Sequence, residues 1–444
     1  MTRTAEIAIV GAGLAGCEAA WQFAKRNLKV DLFEMRPLKN TPAHQTDLPA
    51  ELVCSNSFKS EDVNNAHGLL KTEMTMAGSL ILNCATKSRI PAGAALAVDR
   101  EQFSKRVKSE LLNTGRVEFI NQEIVDLRGL KKQYQYVIVA TGPLSSDGIS
   151  KALMDLMGED QLFFYDAIAP VITRESINMD IAFYKSRYDK GSADYINCPM
   201  NQEQYELLIE SLLIAEKVPF NDFEQAKHFE GCLPIEVMAS RGPSTLAFGP
   251  MKPVGLEHPE THEKYYGVLQ LRQENEAGTL YNLVGCQTRM KWPEQKKVFQ
   301  LIPGLEKCEF ARYGSMHRNT FINAPKQLKP SLELNTIKDV YLAGQITGVE
   351  GYSESTAMGL WVALNLIQKI EEKPLLQPDS CTMIGGLVNY LKTASPENFQ
   401  PMNSNFGLLA PLPAKTKIPK KIKKQKQAER AVAVWKEQLE QLGW

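Results

Sequence analysis

Two cysteines carry the chemistry most open to this chain. Cys232 lies in Phe229-Glu230-Gly231-Cys232-Leu233-Pro234-Ile235-Glu236. A glycine before it and a proline two residues after it place it in a turn rather than mid-helix. A thiolate is the best side chain for conjugate addition to an electron-poor ring, whereas the commoner fate of a lone cysteine is a buried, inert thiol. The local sequence leaves both readings open. Glu230 and Glu236 are candidate proton carriers beside it, with a surface ion pair the preferred reading for either. Cys54, in Leu52-Val53-Cys54-Ser55-Asn56-Ser57-Phe58, sits in a polar stretch that makes either a hydrogen-bonded pocket or a capped turn. The six histidines, at 44, 67, 228, 258, 262 and 317, show no metal-ligand spacing; His258 and His262 are four apart, but Pro259 interrupts any helix that would present both. No metal site is expected. The eight cysteines include no C-x-x-C pair, which argues against zinc and against a disulfide framework and predicts reduced thiols.

Three glycine-bearing segments must position these groups. Residues 6–10 (EIAIV) read as a short buried strand, followed at once by Gly11, Ala12, Gly13, Leu14, Ala15 and Gly16, and then by apolar residues at helical spacing up to Arg26. In that context Gly11 permits a tight turn, Gly13 lets backbone approach a pyrophosphate, and Gly16 lets helix and strand pack closely. The helix N-terminus supplies amide groups for the phosphates. A second strand, 29–33, ends at Glu34, about the usual distance for an acid that holds ribose hydroxyls. Residues 134–142 (YQYVIVATG) give another buried strand running into a turn at Thr141 and Gly142, and residues 338–344 (KDVYLAG) do the same at Gly344, followed by Gln345. A simple nicotinamide enzyme has no need of the two later returns. A flavin held extended across a sheet does, so the expected tightly held cofactor is FAD.

At 444 residues the chain is long for one core. The expected fold is α/β: a Rossmann-type FAD-binding domain in two parts, 1–148 and 331–444, with an inserted α+β substrate or RNA domain at 149–330. Within the insertion, 167–173 (AIAPVIT) and 279–288 (TLYNLVGCQT) read as strands and 202–214 as an amphipathic helix; 353–370 reads as a helix bringing another N-terminus toward the cofactor. Hydrophobic content of 43% and charged content of 23% are those of a globular protein. No apolar run approaches the roughly 18 residues of a membrane span, and no signal peptide is read before the first strand, so a cytoplasmic protein without membrane contact is expected. Net charge is zero and announces no nucleic acid by itself. Residues 415–430, however, carry eight Lys or Arg against the single acid Glu429, readable as a solvated basic tail or as a phosphate-binding arm for RNA; a helical stretch, 431–442, follows. Residues 289–297 (RMKWPEQKK), and Arg312 with His317 and Arg318, mix cations with aromatics as an RNA surface would.

Almost end to end, the chain closely resembles the bacterial folate- and FAD-dependent tRNA (uracil-5-)-methyltransferases. The resemblance is carried by GAGLAGCEAA, VDLFEMRP, TPAHQTDLPAELVCSNS, GLLKTEM, ALAVDR, FEGCLPIEVMA, FGPMKPVGL, LRQENEAGTLYNLVG, KWPEQKKVFQLIPGLE, RYGSMHRNTFINAP, GVEGYSES and NFQPMNSNFGLL. ELVCSNS together with EGCLPIE is far more specific than the dinucleotide fingerprint. The resemblance implies a glutathione-reductase-like, GidA-related flavin fold. It also implies a reaction in which 5,10-methylenetetrahydrofolate gives its one-carbon unit to C5 of a T-loop uridine in tRNA. Reduced FAD would be carrier and reductant, and NADPH or NADH would reload it. On this reading Cys232 adds to uracil C6, which makes C5 nucleophilic toward a methylene held as an iminium on flavin N5. Cys54 is a second functional thiol near the flavin. Gly351 and Tyr352, in GVEGY, join the cofactor site, with Tyr352 packing against the isoalloxazine ring. No obligatory protein partner is implied. Two positions depart from the family pattern: Ala94 stands for a glycine, which would carry strain at positive φ, and Ser240 precedes Arg241 where a basic pair is usual. The same chemistry on ribosomal RNA is an alternative, as is a wobble-uridine flavoenzyme of the glucose-inhibited-division type, which would work with a partner GTPase. A flavin-bearing RNA-binding scaffold and an S-adenosylmethionine methyltransferase are more distant readings; the returns at Gly142 and Gly344 have no use in the latter.

Overall fold

The computed structural model describes residues 5–41, 43–158, 162–189, 192–219, 233–413 and 419–444. A five-stranded, all-parallel sheet has the spatial order Val340–Leu342, Tyr136–Val139, Ile7–Val10, Val30–Glu34, Val117–Asn121. Every residue of Ile7–Val10 and of Tyr136–Val139 is buried, as a strand flanked by neighbours and covered on both faces requires. The glycine turn after Val10 feeds the helix Leu14–Lys25, whose small residues allow close approach: a Cβ on Gly16 would lie 2.0 Å from the Gly11 carbonyl oxygen. The helix Tyr352–Ile370 crosses it, and Gly359 makes that contact possible, since a Cβ there would stand 2.2 Å from Ala15 O. That helix is buried nearly all round, with Trp361 donating to Pro330 O at 2.8 Å.

A second, antiparallel sheet of six strands runs Phe183–Tyr184, Ile196–Met200, Gly267–Gln273, Leu280–Leu283, Val171–Thr173, Phe310–Arg312 and has its own core around Leu208, Leu269, Leu283 and Phe299. A two-stranded ladder, Leu162–Ile168 with Ser315–Phe321, stands apart from both sheets, and three short strands (Ser57–Ser60, Arg89–Ile90, Ala95–Val98) form a fourth sheet.

Three local expectations change. The run 167–173 is two strands, because Pro170 has no amide for a ladder: Leu162–Ile168 pairs with Ser315–Phe321, whereas Val171–Thr173 joins the six-stranded sheet. Strand 279–288 stops at Leu283, where Gly285 turns at φ +78°. The basic run is largely helical: Lys420–Leu442 is one helix, anchored by buried Trp435, whose Nε1 donates to Glu73 O at 2.7 Å. At the substituted glycine position, Ala94 is unstrained, and the positive φ belongs to Gly93 (+57°). Among the described residues no helix is long and apolar enough to cross a membrane.

Candidate active site

The carboxyl ends of the parallel strands open into a cleft of about 1020 Å³, lined by Gly11, Gly13, Leu14, Ala15, Glu34, Thr141, Gly142, Gly344 and Gln345 among others. This is the crevice where open parallel sheets take their ligands. Gly11 turns at φ +104°, and a Cβ there would strike Ala140 O at 2.5 Å. Gly13 differs: a Cβ would meet nothing nearer than 4.0 Å, so its backbone faces open space. As N-cap it offers no side-chain acceptor, which leaves the first helical amides available to an anion. Gly142, at φ +67°, likewise has nothing within 4 Å. Ala12 does not line the cleft; its N–H donates to Glu34 Oε2 at 3.1 Å. Arg36 pairs with the other Glu34 oxygen at 3.0 Å and, against the opposing effect of burial, its hydrogen bonds hold this carboxyl below its usual range. An ionised carboxylate and a bare helix N-terminus in one elongated cleft fit the ribose and pyrophosphate of FAD.

A second cleft of about 970 Å³ continues from the first and shares Val53, Pro143, Leu144, Gln345 and Tyr352 with it. Here the chemistry-bearing side chains gather: Cys54, Lys59, Asp166, His317 and Glu350, with Gly351 in the wall. Tyr352 stands at the junction. Its hydroxyl accepts from Cys54 N (2.8 Å) and Ser55 N (3.0 Å), and burial pushes its ionisation up. The Cys54 segment is pinned from behind by half-buried Arg100, which donates to Leu52 O at 2.7 Å and pairs with buried Glu274 at 2.9 Å. Asn56 ties the same segment to Val98 O (3.1 Å) and Gln273 O (3.0 Å). Cys54 is therefore in a hydrogen-bonded pocket, not merely a capped turn. On the far side, Glu354 accepts from Ser404 N (3.0 Å) and Ser404 Oγ (2.6 Å) and pairs with His67 (3.2 Å); against the effect of burial, these partners lower it to about 2.

Cys232 and Glu230 lie outside the described residues, but both flanks of that segment are placed. Ile235 N donates to Gln287 O at 2.7 Å, and Val218 N donates to Arg289 O at 2.8 Å. Gln287 itself lines the second cleft. Glu236 is not the surface ion-pair residue expected from sequence. It is 2% exposed and accepts from Thr288 Oγ1 and Arg289 N, each at 2.9 Å. Of the proposed RNA cations, Arg312 is half-buried, with Nε and Nη2 lacking hydrogen-bond partners and burial lowering its pKa to about 10; His317 faces the cleft, not an outer surface. Trp292 does stand out, 62% exposed, stacked on Tyr313, which stacks on Phe310.

Sequence reasoning missed Asp166, Lys59 and Glu350 as cleft residues, along with the Arg100–Glu274 pair. Only Glu350 carried a signal, by its place between Gly348 and Gly351, both at positive φ (+93° and +116°). The seven described cysteines are all free, and no cluster of metal-ligating residues occurs among the described residues.

The family described as "Glucose inhibited division protein A" matches residues 6–374. A protein of Natranaerobius thermophilus named "Methylenetetrahydrofolate--tRNA-(uracil-5-)-methyltransferase TrmFO" is 52% identical over 434 residues, covering 98% of this chain and 99% of its own. The Bacillus subtilis protein of the same name is 51% identical over 424 residues, with 96% of each chain covered. Among solved structures, Aquifex aeolicus GidA superposes with a TM-score of 0.68 at 15% identity, over 97% of this chain and 73% of that one, a likeness of fold.

Proposed function

We infer the activity from membership: the chain belongs to the glucose-inhibited division protein A family and to the TrmFO methyltransferases, and it transfers the one-carbon unit of methylenetetrahydrofolate to C5 of a uridine in tRNA. It is a flavoprotein, and bound FAD would supply the electrons that take the transferred carbon to a methyl group. The observation that carries this reading is the continuity of the two clefts at Tyr352, which joins a dinucleotide-shaped site to a chamber holding a thiol and several proton-transfer groups.

Gly13 and the helix it opens hold the pyrophosphate, with Gly11 turning the chain and Gly16 letting helix and strand pack, and Glu34 holds the ribose. Thr141, Gly142, Gly344, Gln345, Gly351 and Tyr352 complete the flavin contact, with the Tyr352 ring against the isoalloxazine. Cys232 is the nucleophile that adds to uracil C6. Supporting this, Ile235, three residues after it, is hydrogen-bonded to a cleft residue, and buried Glu236 fastens the same stem. Cys54 presents a second thiol in the chamber, its backbone fixed by Tyr352 and Arg100. NADPH or NADH reloads the flavin, the protein works in the cytoplasm, and it needs no obligatory protein partner. The inserted antiparallel unit, about 149–330, is the substrate domain.

Purified protein incubated with unmodified tRNA transcript, NADPH and methylene-labelled tetrahydrofolate should yield labelled 5-methyluridine on digestion, and Cys232→Ser should yield none. Label on ribosomal RNA alone, or none with intact FAD, would overturn the tRNA reading. Label retained in the Cys232→Ser protein would overturn the nucleophile.

A further inference from the structure

Methylation at C5 requires that the C5 proton leave, and on the reading above Cys232 is bonded to the ring and is not free to take it. The second cleft holds three carboxyl groups, Asp166, Glu350 and Glu354. We propose that Glu350 is the base that removes the C5 proton of the bound uridine. This rests on the methyltransferase reading above and adds a residue to it.

Placement comes first. Glu350 is anchored by its own backbone, with its N–H donating to Met402 O at 2.8 Å, and by Gln345 Nε2, which donates to Oε2. Gly348 and Gly351 on either side adopt positive φ, so the loop turns sharply around this one side chain. It shares the chamber with Cys54 and lies two residues from Tyr352. Two other acid–base groups there, His317 and Glu354, are less suited. His317 Nε2 is bonded to Ser315 Oγ at 3.0 Å and burial lowers its pKa; Glu354, lowered to about 2 by its partners, is too weak a base.

Tuning comes second. Burial is the main influence raising the Glu350 pKa well above the usual carboxyl value, and the Asp166 charge adds to it. The groups facing it from the surrounding elements are Asp166 on the strand Leu162–Ile168, Cys54, Lys59 on Ser57–Ser60, and Glu354 on the following helix. Of these only Lys59 opposes the rise. Once ionised, a carboxylate whose pKa is raised is a stronger base than a free one. In the step itself the C5–H bond breaks and the proton goes to the Glu350 carboxylate. The bonding pair becomes the double bond to the incoming carbon, whose bond to its donor nitrogen breaks and leaves its electrons on that nitrogen.

The test is release of tritium to water from tRNA transcript carrying [5-³H]uridine, with the flavin-loaded enzyme, NADPH and methylenetetrahydrofolate. Glu350→Gln should cut release by at least about 100-fold, the lower end of general-base contributions, with the flavin absorbance per protein unchanged. Asp166→Asn gives an independent readout. Removing its charge lowers the Glu350 pKa, so the rise of release with pH should move to lower pH, which a purely structural role would not do. Wild-type release rates in Glu350→Gln, or an unmoved profile in Asp166→Asn, would overturn the proposal. No release from the wild-type enzyme would instead overturn the methyltransferase reading on which it stands.

Discussion

The two ends of the continuous cleft are built by different means. The dinucleotide end is made of backbone: glycines at fixed spacing, strand ends and a bare helix N-terminus, with Glu34 and Arg36 as the main charged pair. The chamber at the other end is made of side chains delivered by separate segments: Cys54 and Lys59 from one, Asp166 from a second, His317 from a third, Glu350 and Tyr352 from a fourth. Backbone geometry tolerates changes of side chain but not of Cα substitution. A side-chain chamber tolerates the opposite, provided its supports stay paired.

That contrast can be broken in order of severity. Gly16→Val should have the largest effect, since its Cβ would fall 2.0 Å from the Gly11 carbonyl oxygen; the purified protein should lack flavin absorbance, and a flavin-replete variant would show the turn to be adaptable. Arg100→Leu comes next. It leaves Glu274 buried without its partner, and urea unfolding should show a loss of about 3–5 kcal/mol; a loss below about 1 kcal/mol would mean the pair does not hold the Cys54 segment. Tyr352→Phe is the mildest, depriving two amides of an acceptor at a cost of about 1–3 kcal/mol. It should also quicken alkylation of Cys54 by iodoacetamide, and an unchanged rate would separate the hydroxyl from control of that segment.

The same contrast explains what the sequence made legible. Strands Ile7–Val10, Tyr136–Val139 and Val340–Leu342 announce themselves by short apolar runs ending in glycine, because the demands on φ and on close approach are local. Cys54 was singled out by its polar surroundings and given a role only by the resemblance, and Tyr352 came from the resemblance alone. Asp166 could not be read: its place in the chamber depends on an antiparallel register that sets it opposite His317, which no local pattern encodes. Glu236 was misjudged for a related reason, since an acid beside a turn looks solvated until Thr288 and Arg289 are seen closing over it. The long terminal helix was underestimated at its start because lysines mark a solvated face and a disordered arm alike.

The edge strand Val340–Leu342 completes the parallel sheet beside Tyr136–Val139, yet about 200 residues separate the two in the chain. During synthesis at about 5–20 residues per second, the ribosome needs about 10–40 s to deliver the missing strand. Through that interval the nascent polypeptide carries an open hydrophobic sheet edge and a half-made cleft, since Gly344 and Gln345 arrive only afterwards. Closure of that cleft is thereby deferred until residues 344 and 345 have been made, after all the strands of the six-stranded sheet have already left the ribosome.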